Sequence, residues 1–204
     1  MRHLTYLFSL LISLNCIGQT KFKIKEVETK NWKSIYYIVD EKGKMIRELD
    51  SAKYIAYMDY DFEYKYFTVF LIKGEKGWCA IDKDENILFK VYNTSFGEPT
   101  PDKLVDNKIR IVDSNDKIGF ADYKGNIIIR PQFEIATSFY KDKAIIGEIC
   151  EKIPWDEHAK ENDCHHYSIV CKKYGYINNK GEIVEIGNYK FEEIQKKIEW
   201  KVAE

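Results

Sequence analysis

The chain has 204 residues, of which 45% are hydrophobic and 15% aromatic, and its formal net charge at pH 7 is −1. This charge, with Lys and Glu interspersed, provides no basic surface for nucleic acid or an anionic membrane, so neither is an expected partner. The many Tyr and Phe residues and the small number of Pro residues are typical of an all-β protein.

The first residues are typical of a secretory signal peptide. A weakly basic start precedes an apolar run over residues 4–14, which is shorter than the roughly 20 residues needed to span a bilayer. The small residues Cys16 and Gly18 predict cleavage before Gln19, so that residues 1–18 are removed and the protein is exported to the periplasm or the cell exterior. A lipoprotein anchored through Cys16 is the alternative. No later apolar stretch is long enough to span a membrane.

Four short segments can be aligned with one another, and their first residues lie 42, 40 and 56 positions apart. They are YYIVDEKG at 36–43, WCAIDKDE at 78–85, IGFADYKG at 118–125 and YGYINNKG at 174–181. A period near forty residues indicates one small supersecondary unit copied along the chain. We therefore predict a single β domain over residues 19–204, with repeat cores near 36–46, 78–88, 118–129 and 174–186. Antiparallel hairpins would stack as a short curved array or an incomplete propeller-like ring.

The third copy gives the clearest prediction for one unit. A strand over 117–122, a turn with a positive φ at Gly125, and a return strand over 127–130 that ends before Pro131 form a hairpin. Residues 144–146 add a third strand, which makes a three-stranded antiparallel unit. In the second copy we expect Asn86 to take the left-handed conformation. The turn Asp106-Asn107 of the second copy corresponds to Asp142-Lys143 of the third.

The pattern of an aromatic residue, glycine, a second aromatic, an aliphatic, Asp or Asn, and a Lys-Gly turn resembles the WG-repeat family over residues 35–194. That resemblance implies an all-β, exported bacterial protein and supplies no catalytic residues. The tryptophan remains only as Trp78, where Cys79 replaces the glycine, and Tyr37 replaces it in the first copy. We interpret Trp78, Phe120, Tyr174 and Tyr176 as packing between repeats rather than as ligand contacts.

Residues 58–66 alternate between apolar and acidic or basic side chains, which predicts a strand with one apolar face. The aromatic face belongs to the core in one interpretation. In the other, Tyr60 and Tyr64 form an exposed platform for sugars or an extended peptide. An acidic row on the opposite face is expected to be solvated rather than to bind Ca²⁺.

The last two copies are separated by 16 more residues than the preceding pair, because of an insertion at 148–170. Insertions in repeat proteins map to loops on one face, which is often the binding face. Trp155 and His165 are therefore candidate interaction residues. In an oxidising compartment Cys150, Cys164 and Cys171 are candidates for a disulfide, and we favour Cys150 paired with Cys164 or with Cys171.

Metal binding by the insertion is a competing hypothesis. Cysteine thiolates and imidazoles are ligands that Zn²⁺ prefers, and the weak candidates are His158, Cys164, His165 and His166. Their spacing matches no familiar zinc module, so we predict no metal site.

The sequence contains no phosphate-binding loop, nucleophile elbow or zinc-protease helix, so we expect no cofactor and no catalytic residues. The tail at 191–204 suits either a helix or a strand and is expected to cap the last repeat. The function that these features favour is non-catalytic binding of another protein or an envelope polymer. The alternatives are a hydrolase acting on an envelope polymer, and a metal or redox module built on the 150–171 insertion.

Overall fold

The computed structural model describes residues 20–31, 33–58, 64–94, 100–154 and 167–202. Within these ranges the chain is all-β, as predicted, apart from a short 3-10 helix (Ser51–Lys53) and one α-helix, α1 (Phe191–Lys197). The strands are β1 (Lys23–Glu28), β2 (Ser34–Val39), β3 (Met45–Glu48), β4 (Tyr54–Met58), β5 (Thr68–Ile72), β6 (Trp78–Ile81), β7 (Ile87–Val91), β8 (Lys108–Val112), β9 (Ile118–Asp122), β10 (Ile127–Phe133), β11 (Ile135–Ala136), β12 (Lys143–Pro154), β13 (Tyr167–Asn178) and β14 (Ile183–Gly187).

The described strands form three antiparallel sheets. The first has the order β1-β2-β3, the second β10-β9-β8-β7-β6-β5-β4, and the third β11-β12-β13-β14. Neighbouring strands in each sheet are mostly consecutive in the chain, so the sheets consist of successive hairpins, as the repeat predicts. Units two and three share the seven-stranded sheet because β7 pairs with β8.

Each aligned segment forms the middle strand of a three-stranded unit. The units are β1–β3, β5–β7, β8–β10 and β12–β14, with β2, β6, β9 and β13 at their centres. A three-stranded antiparallel unit is present, as predicted, but its strands are β8, β9 and β10. The predicted third strand, β12, pairs with β11 and β13 rather than with β10. The third strand predicted for one copy therefore begins the next unit.

Every return strand has a β-bulge at the same place. In the fourth unit Tyr176 pairs with Glu185 and Ile177 with Ile183, so that Val184 is the extra residue. The equivalent extra residues in the first three units are Ile46, Leu88 and Ile128. A bulge bends its strand and increases the local twist, so the four hairpins bend in the same way.

In two of the four units the path of the return strand accounts for the glycine of the repeat. A Cβ at Gly175 would lie 2.0 Å from the carbonyl oxygen of Glu185, and a Cβ at Gly119 would lie 2.5 Å from that of Ile129. The return strand therefore approaches the central strand too closely for a side chain at these two positions.

The described chain contains five tight turns with one hydrogen-bond pattern, in which an Asp or Asn side-chain oxygen accepts the N–H groups two and four residues later. These side chains belong to Asp40, Asp82, Asp113, Asp122 and Asn178. The residue three positions after each one has a positive φ, and these residues are Gly43, Glu85, Asp116, Gly125 and Gly181. The side-chain acceptor substitutes for a backbone acceptor and fixes the turn.

Two details of the turns differ from the predictions. Glu85, not Asn86, has the left-handed conformation, with φ 64°, because Asp82 sets the register of the turn and the Asn86 amide donates to its carboxylate. Before β12 the two residues with positive φ are Lys141 and Asp142, one position earlier than predicted. They form the two-residue turn, with φ positive at both central positions, that matches the twist of a hairpin.

The predicted strand over 58–66 is not continuous. Strand β4 ends at Met58, and Tyr64–Tyr66 form no strand; residues 59–63 lie outside the described ranges. Tyr64 is buried against Phe67 with a ring-centroid distance of 5.0 Å. The aromatic pattern therefore reflects core packing at this point rather than a regular strand face.

The tail is helical, which selects one of the two predicted alternatives. Ile194 of α1 and the following Ile198 and Trp200 are buried against Ile145 and Tyr174. The helix thus packs mainly on the two central strands of the third sheet instead of covering an edge strand. This face of the fourth unit has no neighbouring unit to bury it, and the helix supplies the apolar cover.

Candidate functional site

The insertion begins as a disulfide-linked β-ribbon. Strands β12 and β13 each have 12 residues, and Cys150 pairs directly with Cys171, to which it is disulfide-bonded. This is one of the two pairings that the sequence left open. Beyond the bridge, residues 150–154 and 167–171 pair only with each other among the described strands. We call this two-stranded part the arm.

Side chains terminate the sheet on both sides of the disulfide. The N–H of Cys150 donates to Oε2 of Glu134 at 2.9 Å, and the N–H of Cys171 donates to the hydroxyl of Tyr174 at 2.9 Å. Glu134 also accepts the N–H of Ile149, a β-branched residue with φ 57°. These hydrogen bonds, that from Cys150 first, hold the pKa of Glu134 below its ordinary value. Both outward amides are occupied, and no third strand of the described chain pairs at the root of the arm.

The two faces of the arm differ in chemistry. Ile169 faces the body of the protein and packs against the apolar cluster beneath α1. The opposite face carries Ile153 and Val170, which are 48% and 47% exposed. An isolated two-stranded ribbon is at best marginally stable, so the disulfide is well placed to hold an otherwise weak element. The arm therefore presents branched aliphatic side chains to solvent on a covalently fixed support.

A groove of about 300 Å³ lies beside the arm, where the second and third sheets meet. Its described lining consists of Tyr92, Arg110, Ile135, Ala136, Thr137, Ser138, Ile169, Trp200 and Val202. Trp200 is held in place by its indole N–H, which donates to the carbonyl oxygen of Ser138 at 2.8 Å. The guanidinium carbon of Arg110 lies 4.4 Å from the centre of the Tyr92 ring. We call this site the groove.

Arg110 is the charged group among the described residues that line the groove, and its charge is balanced by Asp102. Nε and Nη2 of Arg110 donate to the two carboxylate oxygens at 3.0 and 2.7 Å, and Nη1 donates to the carbonyl oxygen of Ala136 at 3.1 Å. Burial lowers the pKa of Arg110, but the hydrogen bonds and charge of Asp102 outweigh this effect, so the pKa is raised above its ordinary value. Burial also raises the pKa of the Tyr92 hydroxyl. Arg110 is therefore positively charged at neutral pH, beside a neutral phenol.

Arg110 occupies a position that is apolar in the other units. In the third unit Arg110 pairs with Phe120, the residue two positions before Asp122 of the turn. In the other three units the residue at that position before the turn Asp or Asn pairs with Ile24, Val69 or Ile145. All three of these side chains are buried. The third unit thus has an arginine, with its own buried carboxylate, where the fold otherwise uses a branched aliphatic residue.

A second depression of about 660 Å³ continues from the groove along the root of the arm. It shares Ile135 and Ile169 with the groove and is also lined by Cys171, Tyr189 and Phe191. The disulfide thus lies next to a largely apolar surface.

Most of the candidate residues from the sequence fall outside the described ranges. These are Cys16, Tyr60, Trp155, His158, Cys164, His165 and His166. Tyr64 is described, and it is 3% exposed with its hydroxyl donating to the carbonyl oxygen of Asp102 at 2.7 Å. It is therefore a core residue, and its proposed place on an interaction surface is not supported. In the described part of the chain, no group of three or more His, Cys, Asp or Glu side chains is arranged to hold a metal ion.

Comparisons with known proteins do not identify the chain. No family model and no curated protein matches it. Among the described residues, no helix has the length and apolar character needed to cross a membrane. Function must therefore be argued from the arm and the groove.

The sequence reasoning missed the Arg110–Asp102 pair, although a signal for it was present. The turn at Asp106-Asn107 was identified, and the pairing of Val105 with Lys108, continued backwards, places Lys103 opposite Arg110 and Asp102 one position further on. An arginine between Ile109 and Ile111 in a buried strand needs a carboxylate partner, and Asp102 is the acidic residue at the right distance along the hairpin. The groove itself was not predictable, because it depends on how two sheets and the tail come together.

Proposed function

We propose that this protein is an exported, non-catalytic repeat protein of the WG-repeat type, which binds another protein or an envelope polymer through the insertion between Cys150 and Cys171. The observation that carries this proposal is the arm. Its outward face exposes Ile153 and Val170, and its root is fixed by a disulfide and by side-chain caps on both cysteine amides. Exposed aliphatic residues on a rigid support favour partner binding, because little conformational entropy is lost when they are buried.

Export is supported by the disulfide and by the sequence of the first 18 residues. Structural disulfides persist in oxidising compartments and are rare in the cytosol. We expect the intact mass of protein purified from its native cells to begin at Gln19, with two thiols gained on reduction. A mass that retains residues 1–18 would contradict removal of the signal segment, and a diacyl increment on Cys16 would indicate a lipoprotein instead.

Photo-crosslinking tests the role of the arm. A photoreactive amino acid is introduced at Val170, and a matched variant carries it at Ile55, which is also exposed but lies on β4 in the second sheet. We expect irradiation of native cells to give a discrete crosslinked adduct from position 170 and none from position 55. Once the crosslinked partner is known, we expect Val170→Asp to weaken its binding to the protein. Equal labelling from both positions, or none from position 170, would overturn the assignment of the arm as the contact surface.

A further inference from the structure

We infer that the groove is a specific subsite for an uncharged segment of polypeptide, which inserts a branched aliphatic side chain and places a backbone carbonyl oxygen on Arg110. This inference deepens the proposed function and rests on it, since it selects a protein over an envelope polymer as the partner.

The apolar part of the groove determines the side chain. Ile135, Ala136, Ile169 and Val202 form aliphatic walls, and Val202 is 73% exposed at the rim. A volume of about 300 Å³ accommodates one or two side chains rather than a large cofactor. Burial of an isoleucine-sized side chain against such walls is favourable, because its apolar surface is removed from water. A branched aliphatic residue is therefore the matching ligand group.

Arg110 determines the polar contact. A guanidinium carries five N–H groups, of which two donate to Asp102 and one to Ala136. Donor capacity therefore remains on a side chain that is 16% exposed and lines the groove. Because Asp102 already balances the positive charge, a second carboxylate would add an uncompensated negative charge in a poorly solvated place. A neutral acceptor such as an amide carbonyl oxygen is the better match.

The same lining disfavours a saccharide. Sugar hydroxyl groups need acceptors as well as donors, which Asp, Glu, Asn and Gln side chains usually provide. None of the described residues that line the groove is of these types. The neighbouring Asp102 has a side chain that is only 4% exposed and is occupied by Arg110. Besides the hydroxyl groups of Tyr92, Thr137 and Ser138, the described lining offers aliphatic surface beside one charged donor, Arg110, which fits a peptide.

Three small probes test this chemistry on the purified, oxidised protein. They are N-acetyl-isoleucine methylamide, the acid N-acetyl-isoleucine, and methyl glucoside. Binding is followed by NMR through the indole N–H of Trp200, whose hydrogen bond to Ser138 lies in the groove wall. The indole of Trp78, buried in the second sheet, is the internal control. A neutral probe of this size should bind with a dissociation constant on the order of 1 mM.

We expect the neutral probe to shift the Trp200 signal saturably, the acid to bind at least about threefold more weakly, and the glucoside to have no effect. Val202→Glu should weaken the neutral probe by about fivefold or more, whereas the exposed substitution Ile87→Glu, on β7, should not. A preference for the acid or the glucoside, or no saturable shift at Trp200, would overturn the inference. Such a failure is separable from failure of the proposed function, because crosslinking from Val170 tests the arm without reference to the groove.

Discussion

The close approach at the repeat glycine of the fourth unit predicts that Gly175→Ala is strongly destabilising. A Cβ at this position would lie 2.0 Å from the carbonyl oxygen of Glu185 and 2.6 Å from the Cα of Ile186. Both are backbone atoms of β14, so no side-chain rotation relieves the overlap, and the strand must move by roughly 1 Å or more. Overpacking of this kind typically costs 1 to 3 kcal/mol. The upper end, about 3 kcal/mol, is expected here because the bulge pairing is displaced as well.

For a chain of this size, a loss of about 3 kcal/mol lowers the midpoint of thermal unfolding by about 6 to 12 °C. The measurement is thermal unfolding followed by circular dichroism, with the disulfide intact. Gly187→Ala in the same strand is the matched control. Its Cβ would lie 2.9 Å from a ring atom of Tyr189, a 37% exposed side chain that can rotate away. We therefore expect the control to stay close to wild type.

The second unit indicates that a side chain at the glycine position is destabilising only in those hairpins whose return strand approaches closely. Cys79 stands at the equivalent place and pairs with Lys90, so that hairpin leaves room for a side chain. Gly119→Ala should behave like Gly175→Ala, since its Cβ would lie 2.5 Å from backbone atoms of β10. If Gly175→Ala unfolded within about 2 °C of wild type, the close approach of β14 would not require a glycine at this position, and this explanation of Gly175 would fail.

Three further predictions concern the groove and the arm. Asp102→Ala leaves Arg110 without its partner and should cost about 3 to 5 kcal/mol in urea unfolding. Asp84→Ala, at an exposed side chain whose φ is not positive, should cost less than about 1 kcal/mol; equal losses would contradict the burial argument. Replacing both Cys150 and Cys171 by Ala should remove about 3 kcal/mol and speed amide exchange in the arm, and unchanged exchange there would show that the bridge is not needed to hold it. Glu134 has a depressed pKa, so its stabilising contribution is present above the ordinary value of 4.5 and is lost as the pH falls through the pKa of the folded state. The unfolding midpoints of wild type and Glu134→Gln should therefore converge on acidification. A difference that stays constant with pH would contradict this assignment.

Local chemistry explains which turns the sequence revealed. Where glycine supplies the positive φ, as at Gly125, the turn was visible because few other residues take that conformation. The equivalent turn at Asp113 was missed because Asp116 supplies the positive φ without a glycine. Asp and Asn tolerate this conformation, so the more general signal is the acceptor side chain at the first position. Glu85 was misassigned for the same reason, since the register follows from Asp82 rather than from intrinsic preference.

Tertiary contacts explain what the sequence did not reveal. The alternation over 58–66 has the period of a strand, yet Tyr64 is buried where the chain has left the strand, because packing against Phe67 overrides the local pattern. The tail had both helical and strand periods, and the helix is selected because it covers the apolar face of β12 and β13, which no other part of the described chain buries. Strand order, the bulge and the groove likewise depend on contacts between units.

The position of Arg110 is the strongest argument that the groove is functional. Three units place a buried branched aliphatic residue there, so the fold has no need of a charge, and a buried ion pair rarely improves stability over such a residue. Departures from local rules without a gain in stability are expected at functional sites.

The fourth unit shows how the fold can do without the charged pair. There the equivalents of Arg110 and Asp102 are Ile145 and Thr137, and the Thr137 hydroxyl accepts the N–H of Ile145 just as Asp102 accepts that of Arg110. The double variant Arg110→Ile with Asp102→Thr therefore copies a solution that the chain already uses. We expect it to match or exceed wild-type stability in urea by up to about 4 kcal/mol while its affinity for N-acetyl-isoleucine methylamide falls. A double variant that is less stable by more than about 2 kcal/mol would mean that the pair is retained for folding and not for binding.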